Sequence, residues 1–71
     1  MKYKDYIMSE RVAEEIFKLG ATNAEIARKL GCSKSSISGW IIGTSVPNAY
    51  FLKKLHYAGC DVIYILTGER E

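Results

Sequence analysis

Residues 22–43, TNAEIARKLGCSKSSISGWIIG, decide the fold of this chain. They open with a helix start: the Thr22 hydroxyl can accept an otherwise unpaired backbone N–H, and Glu25, three residues on, can accept the N–H of Thr22 in return. Ile26, Ala27 and Leu30 then share one face at helical spacing, with Asn23, Arg28 and Lys29 outward, until Gly31 ends the run. Ser33 has the chemistry to cap a second helix, which stops at Gly43. Only Gly31, Cys32 and Ser33 lie between the two, and so short a turn forces the helices to cross steeply.

On a wheel of about 100° per residue, the second of these helices has two unlike sides. Ile37, Trp40 and Ile41 fall on one, and Lys34, Ser35, Ser38, Gly39 and Ile42 on the other. A helix face that merely meets water is usually built of Glu, Lys, Gln and Arg, which favour helix and solubility. Short hydroxyls, a glycine and one base instead suit a helix whose backbone comes close to something. The major groove of DNA, about 12 Å wide, admits one α-helix, and serine hydroxyls can bond base edges there. Gly39 costs about 1 kcal/mol relative to alanine inside a helix, and two reasons for it stay open: close approach to DNA, or relief of a clash with a neighbouring helix. Trp40 shares its side with Ile37 and Ile41 and is expected in the core, not as a platform for stacking bases.

Outward from this pair the same punctuation continues. Val12, Ile16 and Leu19 recur at i, i+4 and i+7 in a helix from Ser9 to Leu19, with Glu10, Arg11, Glu14, Glu15 and Lys18 between them and Gly20 behind. Asn48, after Pro47, caps a fourth helix with Phe51, Leu52 and Leu55 inward, ending at Gly59. Asp61 caps a brief fifth, Val62 to Leu66, closed by Thr67 and Gly68. No stretch alternates polar and apolar residues for the length a strand needs. The expectation is an all-α domain of five short helices, with a short N-terminal arm over residues 1–8. The 71 residues can enclose only one core, since a chain of this size buries about 60% of its unfolded surface. A stability of roughly 4 to 10 kcal/mol follows from the usual range per residue.

Composition narrows the function. A hydrophobic content of 48% with a single proline is that of a folded domain. The net charge of +2 is small but uneven: between Thr22 and Ala58 stand Arg28, Lys29, Lys34, Lys53 and Lys54 against Glu25 alone, so an acidic partner would meet the middle of the chain. Lys53 and Lys54 read equally well as solvated lysines. The acids of the first helix read as a face turned away from DNA, or as a seat for a basic partner. Two cysteines, Cys32 and Cys60, are too few for a disulfide-built secreted domain. No apolar run approaches the about 18 residues a membrane span needs, so a cytoplasmic protein without a membrane partner is expected. His56 and Cys60 lie four apart beside Asp61, but nothing is placed to orient the pair, and zinc would need Cys32 as a third ligand. No catalysis, metal, cofactor or small-molecule substrate is expected.

Asn23 to Ile42 resembles the helix-turn-helix of lambda-type phage repressors and Cro proteins, which belong to the XRE-like regulators. The matches have physical duties: Ala27 lets the helices touch, Gly31 supplies the left-handed turn residue, and Ile37 and Trp40 fill the space between helices. Residues 59–68, GCDVIYILTG, look like the segment that closes the DNA-binding domain of CI-type repressors, with Tyr64 where that family usually has tryptophan. Asn48, Ala49 and Tyr50 look like the start of the fourth helix there, whose N–H groups hold a phosphate.

The resemblance implies a compact five-helix, lambda-repressor-like domain over 1–71, with its motif over 22–43. It implies base reading by Lys34, Ser35, Ser38 and Gly39, and phosphate contact at Asn23 and Asn48; the hydroxyls of Thr44 and Ser45, in the loop before Asn48, can add contacts to the same strand. The partner is then a double-stranded DNA operator, bound by a homodimer that acts as a transcriptional repressor. The competing reading is a non-catalytic protein-interaction module, an antitoxin, antirepressor or adaptor, for which Tyr3/Tyr6 and Tyr50/Phe51/Tyr57 offer aromatic patches.

Overall fold

Each helix starts where a side chain can cap it. The computed structural model describes residues 6–70, with the backbone alone for Tyr6 and Ile7. Its helices are α1 (Tyr6–Lys18), α2 (Asn23–Leu30), α3 (Lys34–Ile42), α4 (Ala49–Ala58) and α5 (Val62–Thr67). Among the described residues there is no strand, as the missing alternation requires. α1 begins before Ser9, because nothing in Tyr6-Ile7-Met8 breaks a helix, so the arm expected over 1–8 loses its last three residues to α1. The remainder of the arm, with Tyr3 and the side chain of Tyr6, lies outside the described residues.

The caps are those the sequence announces. Thr22 accepts from the N–H of Glu25 at 3.1 Å while its own N–H donates to the Glu25 carboxylate at 2.9 Å, the reciprocal pair that opens α2. Ser33, Asn48 and Asp61 accept from the N–H of Ser36, Phe51 and Tyr64 at 3.1, 3.0 and 2.9 Å. Gly31 stands at φ +75°, in the left-handed region, and lets the N–H of Cys32 close on the carbonyl of Ala27 at 2.9 Å.

One core results. Val12 and Ile16 of α1 meet Ile26, Ala27 and Leu30 of α2, Ile37 and Trp40 of α3, Leu55 of α4, Cys60, and Ile65 of α5. α1 packs on α3 and α5, and α4 on α2 and α5, so α2 and α3 are held from behind while one side of α3 stays outside. Trp40 is buried, with its ring 5.5 Å from that of Phe51. It is a plug between helices, as its wheel position requires.

One residue overturns its expectation. Glu15, read in the sequence with Glu10 and Glu14 as a face turned away from DNA or a seat for a basic partner, is only 1% exposed. It accepts from the N–H of Asp61 at 2.8 Å, from Arg70 at 2.8 Å and from Lys18 at 3.2 Å. Arg70 also reaches Glu14 at 3.2 Å and Asp61 at 3.3 Å, and lies 3.7 Å over the Tyr64 ring. Burial alone would raise the Glu15 carboxyl, but the Asp61 N–H and then the Arg70 and Lys18 cations outweigh it and hold the group below the ordinary carboxylate range. These acids tie α1 to the start of α5 and to the end of the described chain. Two of the acids assigned to an open face are therefore already paired, Glu14 with Tyr64 and Arg70, and Glu15 as above.

Candidate nucleic-acid interface

α3 carries the outward face. Lys34, Ser35 and Ile42 are exposed, Ser38 is half-buried, and Ile37 and Trp40 are turned into the core. Lys34, Ser38 and Ile42 recur four residues apart, about one turn each, so with Ser35 they form one stripe along the helix. Ile42 lies within it with 64% of its surface exposed, an apolar side chain among hydroxyls and an ammonium. No acid lies on α3, whose sequence is KSSISGWII.

Gly39 has a neighbour beyond the two the sequence left open. The loop after α3 folds back on it, so that its carbonyl accepts from the N–H groups of Gly43, Thr44 and Ser45 at 2.9, 3.0 and 3.4 Å. A Cβ on residue 39 would lie 2.7 Å from the Ser45 hydroxyl oxygen and 3.3 Å from that of Thr44. The crowding at Gly39 therefore comes from two loop hydroxyls and not from a neighbouring helix. Sequence reasoning missed this because the contact depends on where the loop turns, and Thr44 and Ser45 carry no signal of direction. The same contact sets Thr44 and Ser45, both exposed, beside the base-reading stripe proposed for α3.

Asn48 follows on the exposed surface at the start of α4. Its side-chain oxygen is used as the cap on the Phe51 N–H, which leaves the amide nitrogen as the donor an anion could meet. The first N–H groups of a helix carry a partial positive charge, about half an elementary charge, which favours an anion there. Asn23, half-buried, opens α2 directly after the Thr22 cap. The two asparagines thus stand at the two helix starts, as their sequence positions require.

Lys53 and Lys54 are not simply solvated. Their ammonium groups lie 5.9 and 5.1 Å from the centre of the Tyr50 ring, which packs edge-on against Phe51 at 5.2 Å and through it reaches Trp40. Lys54 also lies 3.9 Å from where a Cβ of Gly31 would sit, beside the turn between α2 and α3. Its charge lowers the Cys32 thiol, but burial acts more strongly and raises it. Tyr57, the third member of the suggested aromatic patch, is 79% exposed on the edge of His56.

Cys60, weighed in the sequence for catalysis, is buried and lines a cleft of about 320 Å³ together with His56, Asp61, Val62 and Ile63. Burial first, and the Glu15 carboxylate second, push its thiol up to about 11, so it holds its proton at neutral pH. Asp61 is occupied as the α5 cap and by Arg70. Cys32 and Cys60 are both free thiols. Among the described residues no three His, Cys, Asp or Glu side chains come together as metal ligands would, and no helix is long and apolar enough to cross a membrane.

The comparison with curated proteins gave no match, and neither did the comparison with solved structures. The helix-turn-helix family model matches residues 13–56, from within α1 to near the end of α4, and so covers the crossed pair, the folded loop and the start of α4. With the cap, turn and exposed stripe in place across that span, the chain belongs to the helix-turn-helix family of XRE-type DNA-binding transcription regulators.

Proposed function

We propose that the chain is a phage-type or prophage repressor that reads a palindromic operator through the major groove. Lys34, Ser35, Ser38 and Gly39 meet base edges, and Asn23, Thr44, Ser45 and Asn48 hold phosphates on either side. The observation that carries this reading is the return of residues 43–45 onto the Gly39 carbonyl, which joins two exposed hydroxyls to the exposed stripe of α3. A surface of that kind has one helix to enter a groove and small polar groups at its margin to fix the register on the backbone.

The homodimer is part of the proposal. One module of this size reads about four or five base pairs, too few to single out an operator, and two copies on half-sites about 10 base pairs apart double the information. Its support is α5, where Ile65 is wholly buried while Ile63 and Leu66 keep 52% and 51% of their surface exposed.

Affinity for a selected operator and for random duplex tests the assignment. Ser38→Ala removes a base-edge contact and is expected to cost about 1 to 3 kcal/mol on the operator and little on random DNA. Asn48→Asp keeps an acceptor for the Phe51 N–H but sets a negative charge against phosphate, and should weaken both. Equal weakening of both DNAs by Ser38→Ala would remove α3 as the reader.

A further inference from the structure

α3 has one side chain, Lys34, that can pair with a base edge through two hydrogen bonds, to O6 and N7 of guanine. Its nine residues, Lys34 to Ile42, include no Arg, Asn, Gln, Asp or Glu. Its outward members are Lys34, Ser35, Ser38 and Ile42. A serine hydroxyl donates or accepts and so pairs with several bases, while a lysine in the first turn reaches guanine or a phosphate. The polar part of the stripe therefore discriminates weakly. What remains is Ile42, the large apolar side chain in the stripe, 64% exposed although an isoleucine is ordinarily among the most buried residues. In the major groove the apolar feature that distinguishes a base pair is the C5-methyl group of thymine.

We propose that Ile42 is a specificity-determining residue, and that the operator half-site presents it with a thymine methyl. The inference rests on the DNA-reading function proposed above and adds the chemical group that is read. Cytosine methylated at C5 carries the same methyl and should be accepted at that position in place of thymine, whereas uracil should not.

The test uses duplex enriched by the chain from a pool of random 20-base-pair DNA, then resynthesised with uracil for thymine at one position at a time. Burying one methyl is worth about four-fold in affinity, or ~0.8 kcal/mol. The expected result is a loss of that size at one position in each half-site, restored by 5-methylcytosine opposite guanine relative to cytosine. In Ile42→Ala the thymine and uracil duplexes should bind alike, and in Ile42→Val most of the difference should return. Because residue 42 is exposed, both variants should keep the thermal melt of the parent, which circular dichroism checks. Equal binding of thymine and uracil duplexes at every position overturns the inference while leaving DNA reading intact. A difference that persists in Ile42→Ala assigns the methyl to another residue and also overturns it. Failure to enrich any site defeats the DNA-reading function itself.

Discussion

Replacing Gly39 by alanine separates two demands that meet at one atom. Inside a helix alanine is favoured over glycine by about 0.8 to 1.0 kcal/mol, so the change should stabilise α3 if the new methyl can be housed. The methyl would lie 2.7 Å from the Ser45 hydroxyl oxygen and 3.3 Å from that of Thr44, and 3.9 Å from the Ser45 Cβ. The worst contact is thus with the end of a short side chain that can rotate away, and the second needs a shift of a few tenths of an ångström. Neither touches the three backbone N–H groups that converge on the residue 39 carbonyl. The balance is a domain unchanged or up to ~1 kcal/mol more stable, a rise of about 4 to 8 °C in Tm at most. On DNA the sign reverses. A methyl forced into a packed contact costs about 1 to 3 kcal/mol, and the displaced hydroxyls leave their place beside the groove, so operator affinity should fall about ten-fold, equivalent to ~1.4 kcal/mol. Circular dichroism melts and fluorescence anisotropy on a labelled operator measure the two effects on one sample. A Tm lowered by more than about 4 °C, equivalent to ~1 kcal/mol, would show that the loop cannot yield. Unchanged operator affinity would show that residue 39 does not approach DNA.

Three further outcomes follow from other residues. Ala27 is 4% exposed where α2 crosses α3, and Ala27→Leu should cost about 1 to 3 kcal/mol by overpacking, read as a lower midpoint in urea; an unchanged midpoint would put the crossing elsewhere. Glu15→Gln keeps the shape but removes the charge that meets Arg70 and Lys18, and should cost about 1.5 to 3 kcal/mol. Because the folded Glu15 carboxyl is held below its ordinary value, its contribution is present above about pH 4.3 and is lost as pH falls through the folded value; the melting temperature of the parent should therefore fall more steeply between pH 6 and 3 than that of the variant, and parallel slopes would contradict the assignment. Ile63→Glu should leave the monomer folded, since the residue is 52% exposed, but convert a complex of two chains per operator to one in sedimentation velocity. Two chains retained would place the dimer contact away from α5.

Much of this protein was written locally. Helix starts at Thr22, Ser33, Asn48 and Asp61, and the left-handed stops at Gly31, Gly43, Gly59 and Gly68, depend on atoms within about four residues of one another, so the sequence alone determined them. The core stripe followed for the same reason: Val12, Ile16, Ile26, Ala27, Leu30, Ile37, Trp40 and Leu55 repeat at the helical period, and a period fixes a face. The outward stripe of α3 was legible as the complement of that face.

Only the tertiary structure decided what depends on partners distant in the chain. Glu15 looks like its neighbours Glu10 and Glu14, and its burial became possible because the Asp61 N–H and Arg70 arrive from 46 and 55 residues away to satisfy it. Gly39 announced crowding, but its source, the hydroxyls of Thr44 and Ser45, depended on the direction a loop takes after its helix ends. The place of Lys54 beside the α2–α3 turn needed α4 laid against α2, whereas its contact with Tyr50, four residues back on the same helix, did not. A helical period says which side of a residue faces inward; which groups meet it there depends on how the helices are assembled.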